Sequence, residues 1–169
     1  SLEKKILQIL EIGTHIGSTA FLLAKLFPQA NITTVDLSDD DKKFKETYNR
    51  SEIENKNFSE ERNKILEKCN NITFEQMNSV NLMFSKKKFD LIYIDGDHNY
   101  PVIAFDLMNS LKLINSNGII LCDDIQVHFP ENKYTKNEKN IYDSMASFEI
   151  LNELKKTDKI NFNLLYKRL

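Results

Sequence analysis

Acidic side chains in this sequence recur at one kind of place, the end of a short apolar run. Glu11 interrupts Ile9-Leu10-Glu11-Ile12-Gly13, Asp36 closes Thr33-Thr34-Val35-Asp36, Asp95 follows Phe89 to Ile94, and Asp123 and Asp124 follow Gly118 to Cys122. Carboxylates so placed can accept hydrogen bonds from ligand hydroxyls, hold a hard cation, or share in proton transfer. Gly13 and Gly17 bracket Thr14-His15-Ile16 directly after the first run, and the chain has only four glycines. Gly13 suits a tight turn, and Gly17 lets a ligand approach the start of a helix. Asp36 then stands about twenty residues beyond the turn, where such folds grip a ribose diol. Nucleoside binding is the leading reading, with a strand-end Asp that caps the next segment as its rival. His98 lies three residues beyond Asp95; its imidazole suits proton transfer near neutral pH or a plain packing role at a strand-helix junction. His15 and His128 carry less weight.

Elements must exist to bring these groups together. Ile6 to Ile12, Ile32 to Val35, Ile72 to Phe74, Phe89 to Ile94 and Gly118 to Cys122 read as buried parallel strands. Between them, Ile16, Ala20, Leu23 and Phe27 form one helical stripe, and Ile103, Leu107, Leu111 and Ile114 form another. A third helix is predicted from Ser59 as N-cap, with Glu60 and Glu61 in its first turn, through Ile65 and Leu66. The alternation predicts an α/β fold: a Rossmann-like, doubly wound, mostly parallel sheet with helices on both faces, in a single domain over 1–169. Asp39 to Phe58 reads as a solvated polar insertion or irregular helix, with a lid as the functional alternative. Gln126 to Asn140, with His128, Phe129 and Tyr134, is predicted to contact substrate, since it leaves a strand's carboxyl end. A helix over about Ile141 to Leu154 and an edge strand around Phe162 to Tyr166 complete the chain.

Composition narrows the class. At 169 residues, 41% hydrophobic and 28% charged, the chain can bury one core. A net charge of -2, with lysines scattered among acids, gives no basic field for nucleic acid. Cys69 and Cys122 offer neither a metal spacing nor a disulfide framework, and no apolar run approaches a membrane span. A cytoplasmic protein acting on a small molecule is expected, with homo-oligomerisation open.

Glu11-x-Gly13-x-x-x-Gly17, Asp36, the segment Phe89-Asp90-Leu91-Ile92-Tyr93-Ile94-Asp95-Gly96-Asp97-His98-Asn99-Tyr100, and Gly118 to Asp124 resemble the class I S-adenosylmethionine (SAM)-dependent methyltransferases. The similarity covers Leu7 to about Ile125 and points to methyltransferase family 24, related to the catechol and caffeoyl-CoA O-methyltransferases. His15 stands where the family usually has a third glycine, and the family usually has helices before the first strand, so a missing N-terminal region is expected. The resemblance implies that Glu11, Gly13 and Gly17 surround the methionine portion of SAM, with Thr14 and Ser18 as donors to its carboxylate. It further implies that Asp36 binds the ribose, that Asn78 and Ser79 flank the adenine, and that Asp95 serves SAM and the reaction. Asp95, Asp123 and Asp124 match the magnesium ligands of metal-dependent relatives; the other reading makes Asp123 and Asp124 solvated strand-end acids. His98 is the expected base.

The expected reaction is O-methylation of a small hydroxylated metabolite such as a sugar or polyketide. A SAM- or nucleoside-binding regulatory or degenerate domain without turnover is the alternative. An NAD-binding oxidoreductase is less favoured, because a dinucleotide turn wants Gly-x-Gly-x-x-Gly and position 15 is His.

Overall fold

The computed structural model describes residues 5–125, 145–158 and 160–165. Five parallel strands, β1 (Gln8–Ile12), β2 (Asn31–Asp36), β3 (Ile72–Gln76), β4 (Phe89–Ile94) and β5 (Ile114–Cys122), form one sheet in the order β3-β2-β1-β4-β5. Helices α1 (Ser18–Leu26), α2 (Lys42–Thr47), α3 (Glu52–Leu66), α4 (Val102–Leu113) and α5 (Met145–Lys155) connect or follow them. This is the doubly wound Rossmann-like fold that the alternation predicts.

The central strands β1, β2 and β4 are buried on both faces, whereas the edge strands β3 and β5 leave side chains such as Ile119 exposed. Ile9, Ile32 and Leu91 pack with Ala20, Leu23, Ala24 and Leu66 of α1 and α3. Leu10, Ile12, Ile92 and Ile94 point the other way, into a second cluster with Ile103, Leu107 and Leu113 of α4 and Ala146 of α5. β1 is central, flanked by β2 and β4, and the strand order switches sides between β1 and β4. The backbone ladder runs one step past the strands: Asp95 N–H donates to the Ile12 carbonyl at 2.8 Å, Asp123 N–H to that of Ile94 at 3.0 Å, and Met77 N–H to that of Asp36 at 2.7 Å. These bonds align the residues that follow each strand along one edge.

Several sequence-based expectations are corrected. Of the two readings of 39–58, a solvated insertion or an irregular helix, the stretch is helical and regular: it holds α2, capped by Asp41, and the first half of α3. Helix α3 starts after Ser51, whose hydroxyl and backbone join Glu54 in a reciprocal capping box, and Ser59 lies within the helix. The cap outweighs the missing apolar period, because Arg62 and Asn55 rather than aliphatic residues supply much of the buried side of α3. α4 ends at Leu113, and Ile114 opens β5, which begins four residues before Gly118. α1 excludes both Ile16 and Phe27, the ends of its predicted stripe. Residues 160–165 form no strand, so the described part of the expected edge strand is absent. The predicted substrate segment 126–140 and the start of the last helix, 141–144, lie outside the described residues, as do 166–169.

Candidate active site

The turn after β1 is the tightest point of the carboxyl edge. Gly13 adopts φ +99°, and a Cβ there would sit 2.1 Å from the Asp95 carbonyl oxygen, so the β1 and β4 exits touch through backbone alone. Gly17, at φ +85°, caps α1, and a Cβ there would come 2.7 Å from the Leu66 side chain. Both positions need glycine for conformation and for space. His15 occupies φ +48° between them.

Beneath the turn lies a closed polar relay. Register pairs Glu11 with Thr34 on β2 and Tyr93 on β4. The Thr34 hydroxyl donates to Glu11 Oε2, and the Thr14 and Thr34 hydroxyls are 2.6 Å apart. Glu11 is fully buried, and its Oε1 has no partner. Burial, reinforced by the Asp95 and Asp36 charges and opposed by the Thr34 bond, pushes its carboxyl up to about 8. The Thr14 hydroxyl is therefore spent inward, whereas Ser18 is exposed in the first turn of α1.

On the β2 side, Asp36 accepts the backbone N–H of His15 at Oδ2 and of Leu37 at Oδ1, each at 2.8 Å. Two amides thus fix the carboxylate's orientation and leave further lone pairs for a ligand's hydroxyls. Asn78 follows β3 and caps a 3-10 turn, Ser79–Phe84, by accepting from Val80 N–H at 3.0 Å. The Ser79 carbonyl accepts from the Asn109 amide at 3.2 Å.

On the β4 and β5 side, Asp95, His98, Asp123 and Asp124 converge. His98 Nε2 lies 3.8 Å from Asp95 Oδ1 and 3.9 Å from Asp124 Oδ2. Burial, then the charges of Asp123 and Asp124, raise the Asp95 carboxyl to about 6. Asp123 accepts the Tyr93 hydroxyl at 2.6 Å and the Asp124 N–H at 2.9 Å. Asp97 turns away to pair with Lys43 of α2 and to accept from Asn99. Among the described residues, no group of three or more His, Cys, Asp or Glu side chains is arranged to hold a metal ion.

Other residues of this edge escape the sequence reading. Asp106 of α4 is buried, faces Gly96, and has no hydrogen-bond partner on either oxygen; burial raises its carboxyl to about 6, with the nearby Ser79 hydroxyl opposing. Its signal was available, since an Asp three residues after Ile103 falls on that helix's apolar stripe. Phe44, Tyr48, Arg50 and Phe58 gather around His15, but their irregular spacing gives no sequence signal. A surface groove of about 530 Å³ along α5 is lined by none of these edge residues.

A fold whose crevice lies outside the carboxyl ends of parallel strands, with a glycine turn and a fixed acid on the next strand, defines a nucleoside-binding α/β protein. Residues 10–125 match the model of a methyltransferase-domain family, family 24. The chain belongs to the SAM-dependent methyltransferase family, as its most specific motifs imply. No curated protein matches it. Among solved structures, a Podospora anserina methyltransferase, PaMTH1, bound to S-adenosylhomocysteine (SAH), has a TM-score of 0.67 at 20% identity, covering 94% of this chain and 66% of its own. A Staphylococcus aureus protein described as a caffeoyl-CoA O-methyltransferase gives 0.62 at 15% identity, covering 86% and 65%. PKMT2 from Rickettsia typhi, in complex with SAH, gives 0.50 at 26% identity, covering 69% of this chain and 20% of its own. The chain thus spans about a fifth of the Rickettsia protein and just under two thirds of the other two. Among the described residues, no helix is long and apolar enough to cross a membrane.

Proposed function

We propose that this chain transfers the methyl group of SAM to a hydroxyl oxygen of a small metabolite, such as a sugar or polyketide, with His98 as the base. The observation that carries the reading is the imidazole of His98 standing between Asp95 and Asp124 at the β4 and β5 exits, beside the glycine turn. SAM fits the rest of the edge. The Asp36 carboxylate suits the ribose diol, and the tight Gly13 turn lets a ligand meet backbone. Asn78 and Ser79, after β3, suit the adenine edge, and Ser18 offers a hydroxyl at the start of α1.

When bound, SAM supplies an electrophilic methyl on a sulfonium. His98 Nε2, too far from either carboxylate for a hydrogen bond, is open to accept the acceptor's proton as its oxygen forms the new bond to carbon. The C–S bond breaks, its electron pair stays on sulfur, and SAH leaves as a neutral thioether. The Asp95 and Asp124 carboxylates flank the nitrogen that takes the proton, at 3.8 and 3.9 Å from Nε2. Alignment of the two reactants supplies much of the remaining acceleration. The magnesium expected at Asp95, Asp123 and Asp124 has no ready cage among the described residues, since Asp123 already engages Tyr93.

The test is SAH formation against a library of hydroxylated compounds. On a compound that is turned over, His98→Ala is expected to lower the rate roughly 10²- to 10⁴-fold while SAH affinity stays within twofold. A variant with an unchanged rate and pH profile removes His98 as the base. Methylation found only on nitrogen or carbon would refute the choice of oxygen.

A further inference from the structure

Charge at the carboxyl edge is almost all negative, and its cations are largely used. Lys43 is paired with Asp97, and Arg62 grips Asp39 through two contacts of 2.8 Å. Arg50 differs. No carboxylate lies within ion-pair distance among the described residues, and Glu54, whose charge it feels, is committed to the Ser51 capping box. Its guanidinium carbon sits 3.7 Å above the Phe58 ring, 4.2 Å above that of Tyr48 and 6.0 Å from that of Phe44. Three aromatic faces therefore hold the group without neutralising it.

The cage stands against the glycine turn. The His15 ring packs 5.1 Å from both Tyr48 and Phe58, and its Nε2 is 3.4 Å from Arg50 Nη2. The His15 backbone N–H binds Asp36, so one residue links the ribose acid to the guanidinium. The Tyr48 phenol, raised by burial, also feels the charges of both Asp36 and Asp95. Arg50 Nη1 is buried and has no hydrogen-bond partner. Burying a cationic donor without an acceptor is costly, and a carboxylate would remove that cost with a planar, paired contact.

SAM carries one carboxylate, on its amino-acid end. We propose that Arg50, held in the Phe44–Tyr48–Phe58 cage beside His15, binds the carboxylate of SAM and makes the intact amino-acid group a condition of tight binding. The assignment rests on the SAM reading above and adds a residue from the α2–α3 segment to the turn after β1. His15, whose pKa is lowered by burial and by Arg50, stays neutral and accepts from Nη2, leaving Nη1 for the ligand. His15 in place of a third glycine then has a use: its ring closes the cage that a glycine would leave open.

Calorimetric titration with SAH and with its decarboxylated analogue, which keeps nucleoside, sulfur and amine, tests this. The native protein is expected to bind SAH at least tenfold tighter. Arg50→Met should weaken SAH about ten- to hundredfold, as for a lost charged hydrogen bond, and the analogue by less than twofold, so that the preference disappears. Arg50→Lys, which keeps charge but loses the planar fork, should fall between. Equal binding of both ligands by the native protein overturns the assignment without need of any variant. So does an equal loss of both ligands in both variants, the mark of a merely structural cage. Failure of the native protein to bind SAH at all refutes the SAM reading itself.

Discussion

Glu11 offers a stability experiment whose size follows from the structure. Its carboxyl is wholly buried and is pushed from 4.5 to about 8, first by burial. At ~1.4 kcal/mol per pKa unit, that displacement corresponds to ~5 kcal/mol between the ionised and neutral forms. Because the folded value lies above the unfolded one, the favourable contribution is complete below pH 4.5 and is lost as pH rises through about 8. Over that window the unfolded chain ionises Glu11 freely while the native state resists. Glu11→Gln removes the titration. At pH 4.5 the variant should be less stable by about 1–3 kcal/mol, since its amide brings donors into a site built around the Thr34 hydroxyl. By pH 8 the native protein should have lost ~4 kcal/mol more than the variant, so the two stability curves cross. Urea denaturation of both proteins at half-unit steps from pH 4.5 to 8.5 measures this, and Asp36, Asp95 and Asp106, common to both, largely cancel in the difference. Parallel curves would show that Glu11 titrates normally and that its burial is not what sets its charge.

Asp36→Ala should weaken SAH binding by roughly 1.5–3 kcal/mol in calorimetry, and the native protein should bind SAH but not NAD; a stronger response to NAD would overturn the cofactor. Gly13→Ala places a methyl group 2.1 Å from the Asp95 carbonyl at φ +99°, and should cost on the order of 4 kcal/mol or more in denaturation experiments; a variant of near-native stability would contradict the described contact between the β1 and β4 exits. Turnover should survive excess chelator, given that Asp123 is engaged by Tyr93. Activity lost to chelator and restored by magnesium, with Asp123→Asn raising the concentration required, would put the ion back into the mechanism.

The sheet and its working edge are written in the residue pattern. Parallel strands buried on both faces must be continuously apolar, so the runs at Ile9, Ile32 and Leu91 announce themselves, and an acid ending such a run must lie at the carboxyl edge. The glycine turn, Asp36 and the Asp95 to His98 segment were legible for that reason, and their order along the chain carried the family. How those acids differ depends on long-range packing. Glu11 and Asp36 look alike as strand-associated carboxylates, yet one is sealed against Thr34 and the other is held open by two backbone amides. Both side chains take the same face, since Asp36 lies two residues beyond Thr34, the partner of Glu11; the difference comes from how deep in the strand each sits and what packs on it, which no local pattern encodes. The segment from Asp39 to Phe58 misread for a related reason: its aromatic residues have no helical period because they converge from α2, the following turn and α3 on a single arginine. Long-range contacts of that kind leave no spacing in the chain.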